Sequence, residues 1–182
     1  MLGIVLAAHA RGASGLPLVA GPDSPAPLAS AHHGALTRAD GYLPDGEGVS
    51  PFADDEPAIA NLRPGLRHAV QQAARDAEAD GVDVVVTTGW RSPAYQQRLL
   101  DDAIAEYGSR RAALRWVSTP QTSEHVRGAA VDLGPTDADD WFLRNGARYG
   151  LCRIYANEIW HFELATRPGG TCPAELRDAS AR

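Results

Sequence analysis

The side chains of this chain that can hold a metal or move a proton fall into two short clusters in its second half. The first runs Ser123-Glu124-His125-Val126-Arg127-Gly128-Ala129-Ala130-Val131-Asp132, and the second Asn157-Glu158-Ile159-Trp160-His161-Phe162-Glu163. A catalytic zinc ion takes three protein ligands, with imidazole nitrogen and carboxylate oxygen as suitable donors, and keeps one position open for water. His125, Asp132 and His161 would supply two imidazoles and one carboxylate. Gly128 allows a turn between His125 and Asp132, and the small Ala129-Ala130 pair would let the strand bearing Asp132 pack into the core. Residue types and spacing alone leave a second arrangement open, in which one His is satisfied in the core, Asp132 caps an element, and the two never meet. Of the other four His, His9, His32 and His33 lie in a Gly/Pro-rich stretch and read as solvated, and His68 reads as a surface residue on a helix flank.

Several elements must position these residues. Leu66, Val70, Ala73 and Ala77 recur at helical spacing, with Pro64 suited to the first turn and Gly81 to the position after the end. Val82 to Thr88 is rich in β-branched residues and reads as a strand broken by Gly89. Ser92-Pro93 is an N-cap followed by proline at the first helical position, and that helix runs to Tyr107 with Gly108 as terminator. A short helix is expected over Arg110 to Val117, a loop over 118–128, and a strand over Ala129 to Leu133. A helix capped by Asp137 spans Ala138 to Arg148. Two strands follow, Leu151 to Tyr155 and Ile159 to Leu164, and the last eighteen residues read as irregular. Helices first and short strands later, without βαβ repeats, favour an α+β fold with a small, largely antiparallel sheet flanked by helices.

The chain has 182 residues, which suits one domain. Gly and Pro are about twice as dense over residues 1–51 as beyond them, and no apolar period is sustained there. Residues 1–40 are therefore read as a Gly/Pro/Ala-rich leader or linker, and 41–182 as the domain. Gly3 to Ala8 is too short and too poorly flanked for a complete signal peptide. Ala8-His9-Ala10 and Ala29-Ser30-Ala31 have the small-x-small look of cleavage sites, so the stretch reads either as the end of an export signal or as a loose N-terminus. No apolar run reaches the length of a membrane span. The net charge of −6 argues against a general nucleic-acid binder. All 17 positive residues are Arg, and Lys is absent. That absence excludes a P-loop, Schiff-base chemistry and the S-x-x-K serine acyl-enzymes. Cys152 and Cys172 allow one disulfide or two free thiols.

Ser123, His125, Gly128, Ala130 and Asp132 form an S-x-H-x-x-G-x-A-x-D block, and Glu158, Trp160 and His161 an E-x-W-H block. Together they resemble the ligand signature of the zinc D-alanyl-D-alanine carboxypeptidases, the VanY-like metallopeptidases whose fold is shared with hedgehog-type domains. Upstream, Thr88-Gly89-Trp90-Arg91-Ser92 resembles the family's S-G-Y-R-S block, with Thr88 for Ser and Trp90 for Tyr, and Tyr95-Gln96 its Y-Q. The resemblance covers roughly residues 57–165 and leaves the leader and tail uncovered.

The resemblance implies one zinc ion per chain on His125, Asp132 and His161, with Glu158 as general base and Arg91 as the cation facing the oxyanion. It implies Gln96 and Ser123 as substrate-binding residues, and Glu163 and Glu124 as candidates for orienting a ligand imidazole. Glu158 lies three residues before His161, so both can face one metal only if the chain turns near Ala156-Asn157. The implied activity is removal of the terminal D-Ala from peptidoglycan stem peptides by a monomeric, exported enzyme of the cell envelope or exterior. In that setting a Cys152–Cys172 disulfide would persist and tie the tail beside the strand of His161. The same site would also suit an L,D-carboxypeptidase, a dipeptidase or a wall endopeptidase, and the fold would suit a non-catalytic zinc-stabilised wall-binding module.

Overall fold

Pro57 and Pro64 each open a helix, α1 over Pro57–Ala60 and α2 over Pro64–Ala79, in the computed structural model, which describes residues 34–44 and 47–182. Leu66, Val70, Ala73 and Ala77 of α2 are all buried, whereas His68 on its flank is exposed. The Val82 N–H donates to the Ala77 carbonyl (2.9 Å) and closes α2. Val82 is thus committed to ending the helix, and strand β1 begins later than its β-branched run suggests, spanning Val85–Thr88.

Helix α3 covers Pro93–Tyr107, with the Ser92 hydroxyl accepting from the Tyr95 N–H (3.1 Å). Helix α4 is a single turn, Arg110–Ala113, shorter than the stretch to Val117 that the sequence suggests. Strand β2 covers Ala130–Gly134 and helix α5 Thr136–Asn145. Pro135, not Asp137, sits at the N-cap of α5, and residues 146–149 tighten into a 3-10 turn. Strands β3 (Leu151–Arg153) and β4 (His161–Leu164) complete an antiparallel sheet of order β1-β2-β4-β3.

Register divides this sheet into two unlike faces. Val86 pairs with Leu133 and Val131 with Phe162, and all four point beneath α2 and α5 into the main core. Phe162 packs against Phe142 of α5 with ring centroids 5.6 Å apart. Asp132 pairs with His161, Ala130 with Glu163, and Glu163 with Cys152. Side chains alternate along strands, so Asp132, His161, Glu163 and Cys152 share the opposite face.

The tail covers part of that second face. Cys152 and Cys172 form a disulfide with Cα atoms 5.6 Å apart. Strand β3 stops at Arg153 rather than Tyr155, because Tyr155 leaves the sheet to bridge Leu176 of the tail. Residues 175–182 read as irregular from composition, yet they are closely held. The Leu176 N–H donates to the Ile154 carbonyl, Arg153 pairs with Glu175, and Asp178 is buried ahead of a 3-10 turn over Ala179–Ala181.

The N-terminal readings fall partly outside the described residues. The export-signal and cleavage-site readings, with His9, His32 and His33, lie in residues 1–33. At the end of the stretch read as a leader, residues 37–41 form a capped 3-10 turn, and the Asp40 carboxylate accepts from the Ser92 hydroxyl (3.0 Å).

Candidate metal centre

Strand register alone places the Asp132 and His161 side chains next to one another, since the two residues are directly paired. His125 arrives from the loop before β2. Gly128 makes the return possible: its φ is +66°, and a Cβ there would lie 2.4 Å from the Asn61 carbonyl oxygen. Glu158 joins through a turn. The His161 N–H donates to the Glu158 carbonyl (3.3 Å), so residues 158–161 curl tightly and bring both side chains to one side. A regular strand would have put them on opposite faces. Strand β4 starts only at His161 for this reason, leaving Ile159 and Trp160 half-exposed in the turn.

Three atoms converge. His125 Nε2 lies 3.2 Å from His161 Nδ1 and 3.3 Å from Asp132 Oδ1, and His161 Nδ1 lies 3.2 Å from the same oxygen. All three residues are buried. The outer nitrogen of each ring faces an acceptor that fixes its tautomer. His125 Nδ1 lies 2.8 Å from the Gly89 carbonyl, which accepts only, so this nitrogen carries the proton. His161 Nε2 likewise donates to Glu163 Oε1 (3.0 Å). With both rings neutral, the inner nitrogens would present lone pairs toward a carboxylate oxygen, an arrangement that repels itself unless a cation, either a metal ion or a proton, sits among the three atoms. Their spacing also suits an ion. Tetrahedral donors at zinc–nitrogen and zinc–oxygen bond lengths are about 3.3 Å apart.

Without a metal ion, the same convergence draws a proton onto His161. Burial opposes charge on His161, but hydrogen bonds to Asp132 and Glu163 outweigh it and push the ring up to about 9. Burial and the nearby Arg91 hold His125 below its ordinary value. Burial would raise Asp132, yet His125, His161 and Arg91 together hold it well below the usual carboxylate range. Glu158 behaves differently. Burial, the largest influence, and the charge on Asp132 push it up to about 7 against the pull of His161. Its Oε2 lies 3.7 Å from His161 Nδ1, and its buried Oε1 has no hydrogen-bond partner among the described residues.

The other residues singled out in the sequence are also here, some with unexpected partners. Arg91 Nη2 donates to Asp132 Oδ2 (2.9 Å) and Nη1 to Gln96 Oε1 (3.2 Å), while its buried Nε has no partner among the described residues. Gln96 also accepts from the Ser123 hydroxyl (3.1 Å) and donates to the Ser118 carbonyl (2.9 Å). Gln96 and Ser123 thus hold Arg91 in place. Glu124 pairs with Arg127 (2.6 Å) and lies 3.5 Å from Arg182, and it hydrogen-bonds neither imidazole among the described residues. A cleft of about 230 Å³ opens beside the three atoms, walled by Trp116, Ser123, Tyr155, Glu158, Trp160 and Ala179 among others.

Sequence reasoning missed two contributors. The Gly89 carbonyl is a backbone group, and a Cβ at Gly89 would lie 2.1 Å from the Ala58 carbonyl oxygen, so only glycine lets this segment approach. Arg182 grips both oxygens of Glu163 (2.8 and 2.7 Å) and completes a chain from guanidinium through carboxylate to His161. No local pattern marks Arg182. The one available signal was an acidic residue two positions after His161, which needs a partner if buried.

A family model described as VanY, D-alanyl-D-alanine carboxypeptidase, matches residues 60–165. A curated D-alanyl-D-alanine carboxypeptidase of Enterococcus faecalis is 32% identical over 111 residues, which covers 47% of this chain and 41% of that protein. The chain thus spans well under half the length of this relative. Two solved structures are similar to it, each with a TM-score of 0.53. A vancomycin-resistance D,D-pentapeptidase VanY variant in complex with Zn(II) is 30% identical, over 60% of this chain and 73% of that one. VanYB in complex with D-alanine-D-alanine is 29% identical, over 56% and 70%.

Proposed function

Because the chain belongs to the VanY D-alanyl-D-alanine carboxypeptidase family, we propose that it is a zinc-dependent D,D-carboxypeptidase that removes the terminal D-Ala of peptidoglycan stem peptides. The observation that carries this reading is the buried triangle of converging donor atoms on His125, Asp132 and His161, beside a Glu158 oxygen that has no partner among the described residues. A single zinc ion held by those three residues would lower the pKa of a water to about 7 and polarise the scissile carbonyl.

The remaining work belongs to the chain. Glu158, with its pKa pushed up to about 7, takes the proton of the attacking water and returns it to the departing amine. Arg91 lines the cleft, and its guanidinium supplies the fixed positive charge for the negative charge that grows on the carbonyl oxygen. Gln96 and Ser123 fix the Arg91 guanidinium and form the wall along which the peptide lies. The cleft volume of about 230 Å³ is below the 300–1,000 Å³ usual for drug-sized ligands, which favours a chain end of small residues. Export to an oxidising compartment accords with the disulfide. A purely structural zinc site has no use for Glu158 and normally closes its fourth position with protein.

Zinc-loaded protein incubated with a panel of muropeptides should release D-Ala from pentapeptide stems. Glu158→Gln should keep zinc within about threefold of wild-type affinity and lose about 10²–10⁴-fold in kcat. Zinc binding by both proteins with no product from either would overturn the peptidase reading. Release of a dipeptide, or of D-Ala from tetrapeptide stems, would reassign the bond.

A further inference from the structure

We infer that an arginine-lined depression beside the cleft binds carboxylates of the peptide substrate upstream of the cleaved bond, an inference that rests on the peptidase reading. The depression is open, has a volume of about 850 Å³, and is lined by Arg110, Arg111, Arg115 and Arg177 around Ser109 and Ser180. Such a concentration of positive charge stands out on a chain whose net charge is −6.

Its construction leaves donors free. Arg115 and Arg177 both donate through Nε to Asp178 Oδ2 (3.3 and 3.0 Å). The Asp178 side chain is 1% exposed, and its other oxygen accepts from the Ser180 N–H and hydroxyl. One buried carboxylate thus anchors two guanidinium groups by their Nε edges. Their Nη atoms have no protein partner among the described residues, and the two side chains are 57% and 78% exposed. Arg110 and Arg111 are exposed and enter no ion pair among the described residues. Four fork-shaped donors, two of them pre-positioned, suit carboxylates.

The depression adjoins the cleft along the chain itself. Arg115 precedes Trp116 and Ser180 follows Ala179, and both Trp116 and Ala179 wall the cleft. Two other hollows also border the cleft. One contains Asp132 and Asp139 and would repel an acidic chain, and in the other Arg98 is already paired with Asp102 (3.9 Å). A peptide carrying carboxylates upstream of its small C-terminal residues therefore leaves on the arginine side.

Two peptides ending in D-Ala-D-Ala test this, one with two Glu upstream and one with two Gln, on the zinc-loaded full chain and on the Arg110→Ser plus Arg111→Ser variant. Wild type should show a KM about fivefold lower for the Glu peptide at low salt, an advantage lost in the variant and at high salt, with kcat on the Gln peptide unchanged. Fluorescein-labelled hexaglutamate, which lacks D-Ala, gives a readout independent of turnover. Its anisotropy should rise with wild type and not with the variant. Equal KM values together with no hexaglutamate binding would overturn the inference. Cleavage of neither peptide while hexaglutamate still binds through the arginines would overturn the peptidase reading alone. Tighter binding of inorganic polyphosphate of equal charge would overturn the assignment to a peptide.

Discussion

The two faces of the four-stranded sheet are built from alternate residues of the same strands, yet they obey opposite rules. Val86, Val131, Leu133 and Phe162 bury hydrocarbon against α2 and α5, and each contact lowers the free energy of the fold. One position along, Asp132, His161 and Glu163 are just as buried and present charge and lone pairs instead. Burying such groups costs free energy unless each finds a partner. The polar face is therefore affordable only because the apolar face exists. The sheet separates what holds the molecule together from what it binds, across the thickness of a single strand.

That separation can be broken from either side. Leu66→Ala, in α2 above the apolar face, should cost about 2–5 kcal/mol of unfolding free energy by urea denaturation. Zinc affinity of the folded variant should stay within about threefold of wild type, and a parallel loss would show that the faces are coupled. Glu163→Gln acts from the other side. It weakens the acceptor that fixes the His161 tautomer, so zinc should bind about 10–100-fold more weakly in a chelator competition. The metal-free chain should also lose about 1.5–3 kcal/mol of unfolding free energy, because the charged hydrogen bonds from Arg182 and His161 weaken. A large loss of stability without a loss of affinity would reverse the roles assigned to the faces.

The smallest effect lies at the boundary between them. Asp139 of α5 is buried with one oxygen unpartnered, and burial, aided by Asp132 and Asp140, raises its pKa to about 6. A carboxyl whose folded value lies above its unfolded 3.8 is stabilising below that lower value, and the advantage is lost as pH rises through about 6. Asp139→Asn should therefore stabilise the metal-free chain at pH 7.5 by about 1 kcal/mol, after allowance for solvent screening, and leave it unchanged at pH 4. Equal urea midpoints for the two proteins at pH 7.5 would remove Asp139 from the cost of the polar face.

Local rules made much of this legible. The Leu66-to-Ala77 stripe, the Ser92-Pro93 cap and the turn at Gly128 follow from residues within a few positions of one another. Residue types brought His125, Asp132 and His161 forward as one possible set, and the resemblance to the zinc D-alanyl-D-alanine carboxypeptidases added Glu158. Element ends were less legible because distant partners decide them. β1 is shortened by the capping of α2, and β3 by the pull of Leu176. Arg182 could not be read at all. It reaches Glu163 across 19 positions from a segment without periodicity, and only the folded tail brings the two together.

The Cys152–Cys172 bridge bears on that last contact through effective concentration. Arg182 lies ten positions after Cys172, and even with the contacts of Glu175, Leu176 and Asp178 released, a flexible chain of that length has a root-mean-square reach of about 18 Å. A group on such a tether samples its target at millimolar concentration rather than as a free end. The anchored tail therefore favours return of the guanidinium to Glu163 over capture of a competing cation from solution. The covalent link thereby favours the Arg182–Glu163 contact and, through it, the orientation of the His161 imidazole.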